Sequence, residues 1–317
     1  MLCEPLAEIT LAAADLGRCR RFYGGALDLD TELLRYDRAS SQGACRHWGI
    51  PEQDNLDVLL LRRSGIPEAL RVRIVRLDAG RPTARPALDC CADGALGLGV
   101  PVRDLIKRHA IVEAYGFKAN AGVTTMSFPR ADGTTYDIGE THWIAPDDVM
   151  VPGVDRAHLQ PVGPIDPAVG IGGPSYSSAL VSDIDRDGEF FDQVLGYELR
   201  REFTFESDGP KGGMRLPAGT RVRFQQWFAP GSRTGYLVIM QLLSGGLRAP
   251  NGLGLHNRGL GLWSFPTAKF AEVADKVARH GVKVLSAPAD IDALGFGRRH
   301  SMVLATPDGF PVEIFQC

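Results

Sequence analysis

The chain has 317 residues, of which 44% are hydrophobic and 23% charged, and its formal net charge is −3. This composition is typical of a globular protein, and the length is sufficient for two domains rather than one. The near-neutral charge without a basic stripe argues against nucleic-acid binding, and the lack of any run of about 18 apolar residues argues against a membrane-spanning helix.

The first elements predicted along the chain are a strand and an amphipathic helix. Ile9 and Leu11 alternate with Glu8 and Thr10, which is the period of a half-buried strand. Asp15 then stands where a helix N-cap belongs, before apolar residues spaced three and four apart. Short strand-like runs follow at 31–36, 44–48, 57–61 and 72–77. This part of the chain therefore predicts a β-α-β-β-β module.

The same pattern recurs at a constant offset of 168 residues, at which Asp15 corresponds to Asp183 and Phe22 to Phe190. A second strand–helix unit follows in each half, and each of its helices ends before a glycine, which is a common C-cap. An internal repeat of this length indicates duplication. We therefore predict four modules, numbered 1 to 4 in chain order, at about 5–80, 90–146, 174–245 and 257–317.

The domain limits are predicted from composition. Residues 1–148 are expected to form an N-terminal domain and residues 173–317 a C-terminal domain, each of two modules. The segment between them, 149–172, is dense in glycine and proline. Such a segment is predicted to be an interdomain linker rather than a core element.

The chain ends in ATPDGFPVEIFQ, a tight turn followed by a short apolar strand. Pro307-Asp308-Gly309 is the turn signal, and Glu313 is the carboxylate inside the apolar run. An earlier Asp-Gly turn likewise precedes Asp137 by the same spacing. Period-2 alternation leaves open whether Glu313 points to solvent or into a cavity.

These residues resemble the vicinal oxygen chelate superfamily, which contains glyoxalase I, bleomycin- and fosfomycin-resistance proteins and extradiol dioxygenases. The resemblance rests on the strand, Asp-Leu, Phe-Tyr, Leu and final Pro-Asp-Gly-x-x-x-Glu, and it covers all four modules. It implies an α+β fold in which four βαβββ modules pair into two domains, each a curved mixed sheet forming a cup with helices outside. It also implies a metal in the cup, held by side chains of the first and last strands of each module and acting as a Lewis acid.

Transfer of the superfamily's ligand positions to this sequence gives an incomplete metal site. The N-terminal cup would offer Glu8, Arg76, Gly97 and Asp137, with the strand register at Arg76 assumed. Glycine has no ligand atom and a guanidinium binds no cation, so we expect Glu8, Arg76 and Asp137 to form an ion-paired cluster that fills a metal-free cup.

The C-terminal cup would offer Tyr176, Gln241 (its register also assumed), Glu313 and either Leu260 or Gly261. Gln241 and Glu313 are the weak candidate ligands there, and both histidine positions of a dioxygenase-type site are empty. No cofactor is therefore predicted firmly, and a divalent iron, manganese or zinc ion stays an alternative.

We expect the active site in the C-terminal cup, with Glu313 or Tyr176 as general acid–base. The predicted substrate-binding residues are Gln241, Arg223, Trp227, Trp263, His256 and His300. For Arg223 two orientations stay open, into the cup or across the back of the sheet. Residues Glu206–Gly213 are predicted to form a lid, and the other histidines, including His47, His142 and His158, are expected to be structural.

The predicted function is a lyase-, isomerase- or cyclase-type proton transfer on a small oxygenated molecule, with its aromatic character left open, so an enzyme is favoured. The alternatives are a metal-dependent extradiol-type dioxygenase or glyoxalase, and a non-catalytic drug-binding protein of the resistance type. The six cysteines have no paired spacing, and MLCEPLAEIT is not a signal peptide, so a cytoplasmic location is predicted. The expected partner is a small-molecule ligand, with no nucleic acid or membrane and with a homodimer left open.

Overall fold

The computed structural model describes residues 1–86, 90–129, 133–156, 159–209, 213–246 and 252–317. The strands are β1 (Glu8–Ala13), β2 (Asp30–Asp37), β3 (Asn55–Arg62), β4 (Arg71–Arg76), β5 (Gly94–Pro101), β6 (Lys118–Ala119), β7 (Thr124–Pro129), β8 (Thr135–Ala145), β9 (Val149–Asp155), β10 (Tyr176–Leu180), β11 (Glu198–Glu206), β12 (Arg221–Phe228), β13 (Tyr236–Leu242), β14 (Gly259–Thr267), β15 (Val284–Asp292), β16 (Arg298–Ala305) and β17 (Pro311–Gln316).

The helices are α1 (Leu16–Cys19), continued by a π-helical segment (Arg20–Ala26), α2 (Arg38–Trp48), α3 (Leu105–Ala114), α4 (Ile184–Phe190), continued by a second π-helical segment (Phe191–Leu195), and α5 (Phe270–Arg279). A 3₁₀ turn (Pro146–Asp148) joins β8 to β9. In the described part of the chain no helix has the length and apolarity needed to cross a membrane.

The strands form two mixed sheets, and each sheet combines modules from both halves of the chain. Sheet I has the order β15-β16-β17-β14-β1-β4-β3-β2 and joins modules 1 and 4. Sheet II has the order β11-β12-β13-β10-β5-β9-β8-β6, with β7 on β8, and joins modules 3 and 2. The predicted α+β fold of four modules in two cups is therefore confirmed. The expectation that each half builds its own cup is wrong.

The first strands of the modules determine this pairing. Strand β1 pairs antiparallel with β14, and β10 pairs antiparallel with β5. Both pairs carry a register shift at equivalent positions, Thr10/Leu11 and Ser178/Ala179, 168 residues apart. The repeat seen in the sequence is thus present in the register of the strands. The domain limits predicted at residues 148 and 172 therefore do not separate the two sheets.

The helix starts predicted from the repeat are confirmed. Asp15 accepts a hydrogen bond from the amide of Arg18 at 2.9 Å, and Asp183 accepts one from the amide of Arg186 at 3.2 Å. Such side-chain caps satisfy amide groups that have no partner inside the helix.

Two local predictions are corrected. Val149–Asp155, assigned to a linker, is β9, the last strand of module 2, because its apolar residues pair in parallel with β5. Residues 44–48, predicted as a strand, are the end of helix α2. Asp37 caps α2 through the Ser40 amide at 2.8 Å, and Gly49, at a φ of 68°, ends it. These two helix signals outweigh the short strand-like pattern.

The largest core cluster is built from one face of each sheet and from α1, α3, α4 and α5. Two smaller clusters line the opposite, concave faces. The cluster on sheet I includes residues of α2, and the cluster on sheet II includes residues of β10, β12 and β13. The helix α2 therefore distinguishes the two cups, because it covers the concave face of sheet I.

A buried carboxyl group on α4 gives a pH-dependent prediction. Asp187 is 1% exposed, and its Oδ2 has no hydrogen-bond partner among the described residues. Burial, followed by the charge of Asp308, raises the pKa of Asp187 from 3.8 to about 8. The folded protein therefore binds this proton more tightly than the unfolded chain, and the free energy of unfolding should fall as the pH rises from 4 to 8.

We expect Asp187→Asn to remove this decline and to raise stability at pH 8, because the amide keeps the shape of the protonated carboxyl without its ionisation. The measurement is the denaturant midpoint at pH 5 and pH 8. Asp192→Asn, at an exposed position in the adjoining π-helical segment, is the control and should keep the wild-type difference. Equal pH dependence in wild type and Asp187→Asn would contradict the assignment.

Candidate functional site

The concave face of sheet I is occupied by a buried ion-pair network. Glu8 on β1 and Glu313 on β17 are each 0% exposed. Arg299 on β16 joins them, with Nη1 2.9 Å from Glu8 Oε2 and Nη2 2.6 Å from Glu313 Oε2. Arg73 on β4 places its Nη2 3.2 Å from the same Glu8 oxygen. Two carboxylates at predicted ligand positions do meet here, but three guanidiniums, those of Arg71, Arg73 and Arg299, pair with them.

The helix α2 seals this network. Trp48 donates its indole N–H to Glu313 Oε1 at 3.1 Å, and the Arg73 guanidinium lies 4.5 Å from the Trp48 ring. His47 lies 2.9 Å from the hydroxyl of Ser301 and is buried. Burial lowers the pKa of Arg73 to about 10, so it stays charged near neutrality. This cup is a filled, charge-balanced core.

The predicted composition of the filled cup was wrong. Arg76 has a side chain that is 58% exposed and pairs with Asp57 at 3.2 Å. Asp137 lies on sheet II, where Ser127 donates a hydrogen bond to it at 2.5 Å. Glu313 and Tyr176 were expected to be neighbours and instead lie on different sheets. The reason is that module 4 shares its sheet with module 1 rather than with module 3. This pairing brings Glu8 rather than Tyr176 to Glu313.

The concave face of sheet II contains a cavity of about 1290 Å³. Its lining comes from β7, β8 and β9 of module 2 and from β10 to β13 of module 3, together with residues 160–162 and 213–216. Glu206, Ser207 and Asp208 also line it. Part of the predicted lid therefore lines the cavity. Its residues 210–212 are outside the described part of the chain.

Module 3 supplies an aromatic wall. The rings of Phe228 and Tyr236 stack at 4.4 Å between centroids, and those of Tyr236 and Tyr176 at 4.9 Å. A second cluster joins Phe203 and Phe224, whose centroids are 4.6 Å apart. Inward-facing aromatic side chains on neighbouring strands meet in this way because cross-strand pairs share one face of the sheet.

The row of stacked rings ends above a glycine. Tyr176 pairs with Gly99 of β5, and a Cβ atom at Gly99 would lie only 2.0 Å from Tyr176 Cε1. The tyrosine ring therefore occupies the space over β5 that a side chain would fill. Beyond β5, Pro152 of β9 pairs with His142 of β8. The sheet under the cavity therefore continues from β10 through β5 and β9 to β8 at the opposite wall.

Module 2 supplies an acid–base pair on that wall. Glu140 and His142 alternate with Thr141 on β8, so their side chains share the concave face. His142 Nε2 lies 3.2 Å from Glu140 Oε1, and the side chains are 7% and 13% exposed. Burial acts to lower the pKa of His142, but the carboxylate of Glu140 and its hydrogen bond raise it above the ordinary value.

Glu140 also acts on the tyrosines across the cavity. Burial, followed by the charge of Glu140, raises the pKa of Tyr176 well above its ordinary value. Burial raises the pKa of Tyr236 too, with Arg156 acting in the opposite direction and Glu140 adding to the increase. Both phenols therefore stay protonated near neutrality and act as hydrogen-bond donors rather than bases. The cavity brings together a carboxylate, an imidazole and a neutral phenol.

The predicted site residues are dispersed. Of the eight, all of which the structure describes, Tyr176 alone lines the cavity. Arg223 lies on the outer face of sheet II, paired with Asp185 at 2.7 Å and Glu202 at 2.5 Å, so the orientation across the back is the observed one. Gln241 lies beside it, and its Nε2 donates to the carbonyl of Ser182 at 2.8 Å.

The other predicted residues are outside the cavity for similar reasons. Trp227 packs on Phe191 beneath α4, and Trp263 is buried against Phe310 in the largest core cluster. His300 lies between Asp290, at 2.7 Å, and the Phe270 ring of α5. His256 is exposed in the loop before β14.

The residues of neither cup fit the metal that the superfamily commonly holds. In sheet I the two carboxylates already bind guanidiniums. In sheet II the first and last strands face the cavity with Met150, Pro152, Val154, Tyr176, Ser178, Tyr236, Val238 and Met240, which include no His, Asp or Glu. No group of three or more His, Cys, Asp or Glu suited to a metal occurs in the described part of the chain.

Glu140, His142 and Arg156 are not among the site residues predicted from the sequence. The position of His142 beside the predicted linker favours a structural histidine, and His158, for which the same was predicted, lies outside the described residues. The alternation Tyr136, Ile138, Glu140, His142 was an available signal, since it places an acid and a base on one face of a strand.

Comparison with known proteins agrees with this architecture. Residues 174–314 match the model of the Glyoxalase/Bleomycin resistance protein/Dioxygenase superfamily. Glyoxalase I from Zea mays is similar in structure, with 16% identity, a TM-score of 0.61, and coverage of 98% of this chain and 92% of that chain. A Bacillus subtilis protein assigned to the dioxygenases has 15% identity, a TM-score of 0.64, and coverage of 99% and 86%. No curated protein matches the sequence significantly.

Proposed function

We propose that this protein, which has the fold and, over residues 174–314, the sequence pattern of the Glyoxalase/Bleomycin resistance protein/Dioxygenase superfamily, is an enzyme that catalyses proton transfer on an oxygenated aromatic molecule. The site is the cavity of sheet II. The observation that carries the proposal is the Glu140–His142 pair, mostly buried on the wall opposite protonated Tyr176. Buried acid–base groups in a cavity are typical of catalytic sites.

The chemistry assigned to each residue follows from its charge state. Glu140 removes a proton from a carbon next to a substrate carbonyl, and the electron pair moves to the carbonyl oxygen. Tyr176, a neutral phenol, donates a hydrogen bond to that oxygen. His142 hydrogen-bonds to Glu140 and orients it. Return of the proton to a different atom gives an isomer, and loss of a leaving group from the adjacent carbon gives an elimination.

A second candidate is a binding protein that sequesters a molecule without changing it. The aromatic wall of Phe203, Phe224, Phe228, Tyr236 and Tyr176 favours this function, because stacking and apolar burial alone suffice for affinity. The two candidates share the cavity and differ in whether a bound molecule exchanges a proton.

The test is a thermal-shift screen of oxygenated aromatic molecules, followed by NMR detection of solvent deuterium in every molecule bound. A ligand at 100 times its Kd should stabilise the protein by about 2.7 kcal/mol. Gln226→Trp, which narrows the cavity, should abolish the shift. Gln241→Trp, on the outer face of the same sheet, is the matched control and should keep it. Binding unaffected by Gln226→Trp would refute the site, and binding without deuterium exchange would favour the sequestering function.

A further inference from the structure

Arg156 places a positive charge in the lining of the cavity. It directly follows β9, is partly exposed and belongs to the lining. Its guanidinium lies 5.6 Å from the centre of the Tyr136 ring. Within the described ranges of the chain, no carboxylate forms an ion pair with it. A guanidinium that has no carboxylate partner can bind an anionic group of a ligand through its planar set of donors.

Two of the three other arginines in the lining are engaged by other groups, and the third, Arg233, is exposed. Arg201, from β11, donates to the Tyr136 hydroxyl at 2.5 Å, and Arg200 stacks on Phe228 at 4.5 Å while donating to the carbonyl of Ser232 at 2.7 Å. Arg156 is distinguished by its electrostatic effect on Tyr236, whose pKa it acts to lower. Arg156 and Tyr236 both belong to the lining of the cavity.

The aromatic wall constrains the size of the ligand. Phe224, Gln226 and Phe228 alternate into the cavity along β12. The two phenylalanines are four residues apart, which is about 13 Å along an extended strand. A single benzene ring is too short to contact both, whereas a ligand of two or three rings can. The cavity of about 1290 Å³ has room for such a molecule.

We infer that the ligand is a multi-ring aromatic anion whose rings lie on the wall of module 3 and whose carboxylate, sulfonate or similar oxyanion is bound by Arg156. The inference deepens the proposed function, since it names the ligand class of the same cavity. The amide of Gln226 lies between the two aromatic clusters and supplies a polar contact for an oxygen substituent in the middle of the ring system.

The test uses two probes with one skeleton. 8-Anilinonaphthalene-1-sulfonate and N-phenyl-1-naphthylamine have the same rings and differ by the sulfonate. We expect the wild-type protein to bind both, as measured by fluorescence titration. Arg156→Gln should weaken the binding of the sulfonate probe by about tenfold or more and the binding of the neutral probe by less than about twofold. The reason is that a hydrogen bond to a charged group is lost only for the anion. Arg279→Gln, on the outside at α5, is the control and should change neither.

The outcomes separate this inference from the proposed function. If Arg156→Gln leaves both affinities unchanged while Gln226→Trp abolishes them, the cavity binds aromatic molecules and the anion assignment is overturned. If the wild-type protein binds neither probe, the inferred ligand class is overturned, whereas the proposed function is still decided by the thermal-shift and deuterium-exchange screen. If Arg156→Gln does not fold, Arg156→Met decides, because it also removes the charge: weaker binding of the sulfonate probe alone supports the inference, and equal changes for both probes contradict it.

Discussion

Replacement of Glu313 by glutamine is expected to destabilise the protein by about 3 kcal/mol or more, because it leaves a buried guanidinium with one carboxylate instead of two. Glu313 is 0% exposed and binds Arg299 through both of its oxygens, at 3.2 and 2.6 Å. A glutamine keeps the shape and the hydrogen bond from Trp48 but removes the charge. The melting temperature should fall by roughly 10 °C.

The control is Glu272→Gln, whose side chain is 49% exposed beside Lys269. It should change stability by no more than about 0.5 kcal/mol. A double variant, Arg299→Met with Glu313→Leu, should lose less stability than the sum of its two single changes. Each single change leaves a buried charge without its partner, and the double variant removes both charges. Glu8 keeps Arg71 and Arg73 as partners in that variant. A melting temperature for Glu313→Gln within a degree of wild type would contradict the network's role.

Replacement of Glu140 by glutamine is expected to lower turnover by about 10²- to 10⁴-fold, the usual contribution of a positioned general base. The measurement is the rate of solvent deuterium entry into the first molecule found to exchange. Binding should be nearly unchanged, because the amide keeps the volume of the carboxylate. Glu206→Gln, at the exposed rim of the same cavity, is the control. Wild-type exchange in Glu140→Gln would refute the assignment of the base.

A readout that needs no substrate accompanies this variant. The carboxylate of Glu140 is the leading cause that raises the pKa of His142, against the burial that lowers it. In Glu140→Gln burial therefore dominates, and the pKa of His142 should fall below its ordinary value. Titration of the imidazole signals by NMR measures this change. A pKa equal to that of the wild type would show that the two side chains do not interact in solution.

The sequence alone determined the modules. The period of Ile9 and Leu11, the caps Asp15 and Asp183, and the repeat at 168 residues each depend on interactions within a few residues or on duplication itself. Local interactions of this kind can be inferred from the sequence because helices and strands have different hydrophobic periods. The misassigned segments were those where proline, glycine or a short run concealed the period, as in β9 and α2.

Only the tertiary structure decided which modules share a sheet. The first strand of a module offers the same edge to either partner, so nothing local distinguishes pairing of β1 with β5 from the observed pairing with β14. That choice placed Glu313 against Arg299 and Glu8 rather than beside Tyr176. It also left sheet II as the open cup, because helix α2 closes sheet I.

The faces of the strands were likewise decided by packing. The two-residue period of a strand shows that alternate residues share one face of the sheet. It does not show which of the two faces lines the cavity. Arg223 and Gln241 therefore read as site residues but lie on the outer face, where Asp185 and Ser182 bind them. A structural role was predicted for His142 and no role for Glu140, yet both face the cavity, because β8 packs its other face on the core around Trp143. Long-range contacts, absent from any local pattern, made that choice.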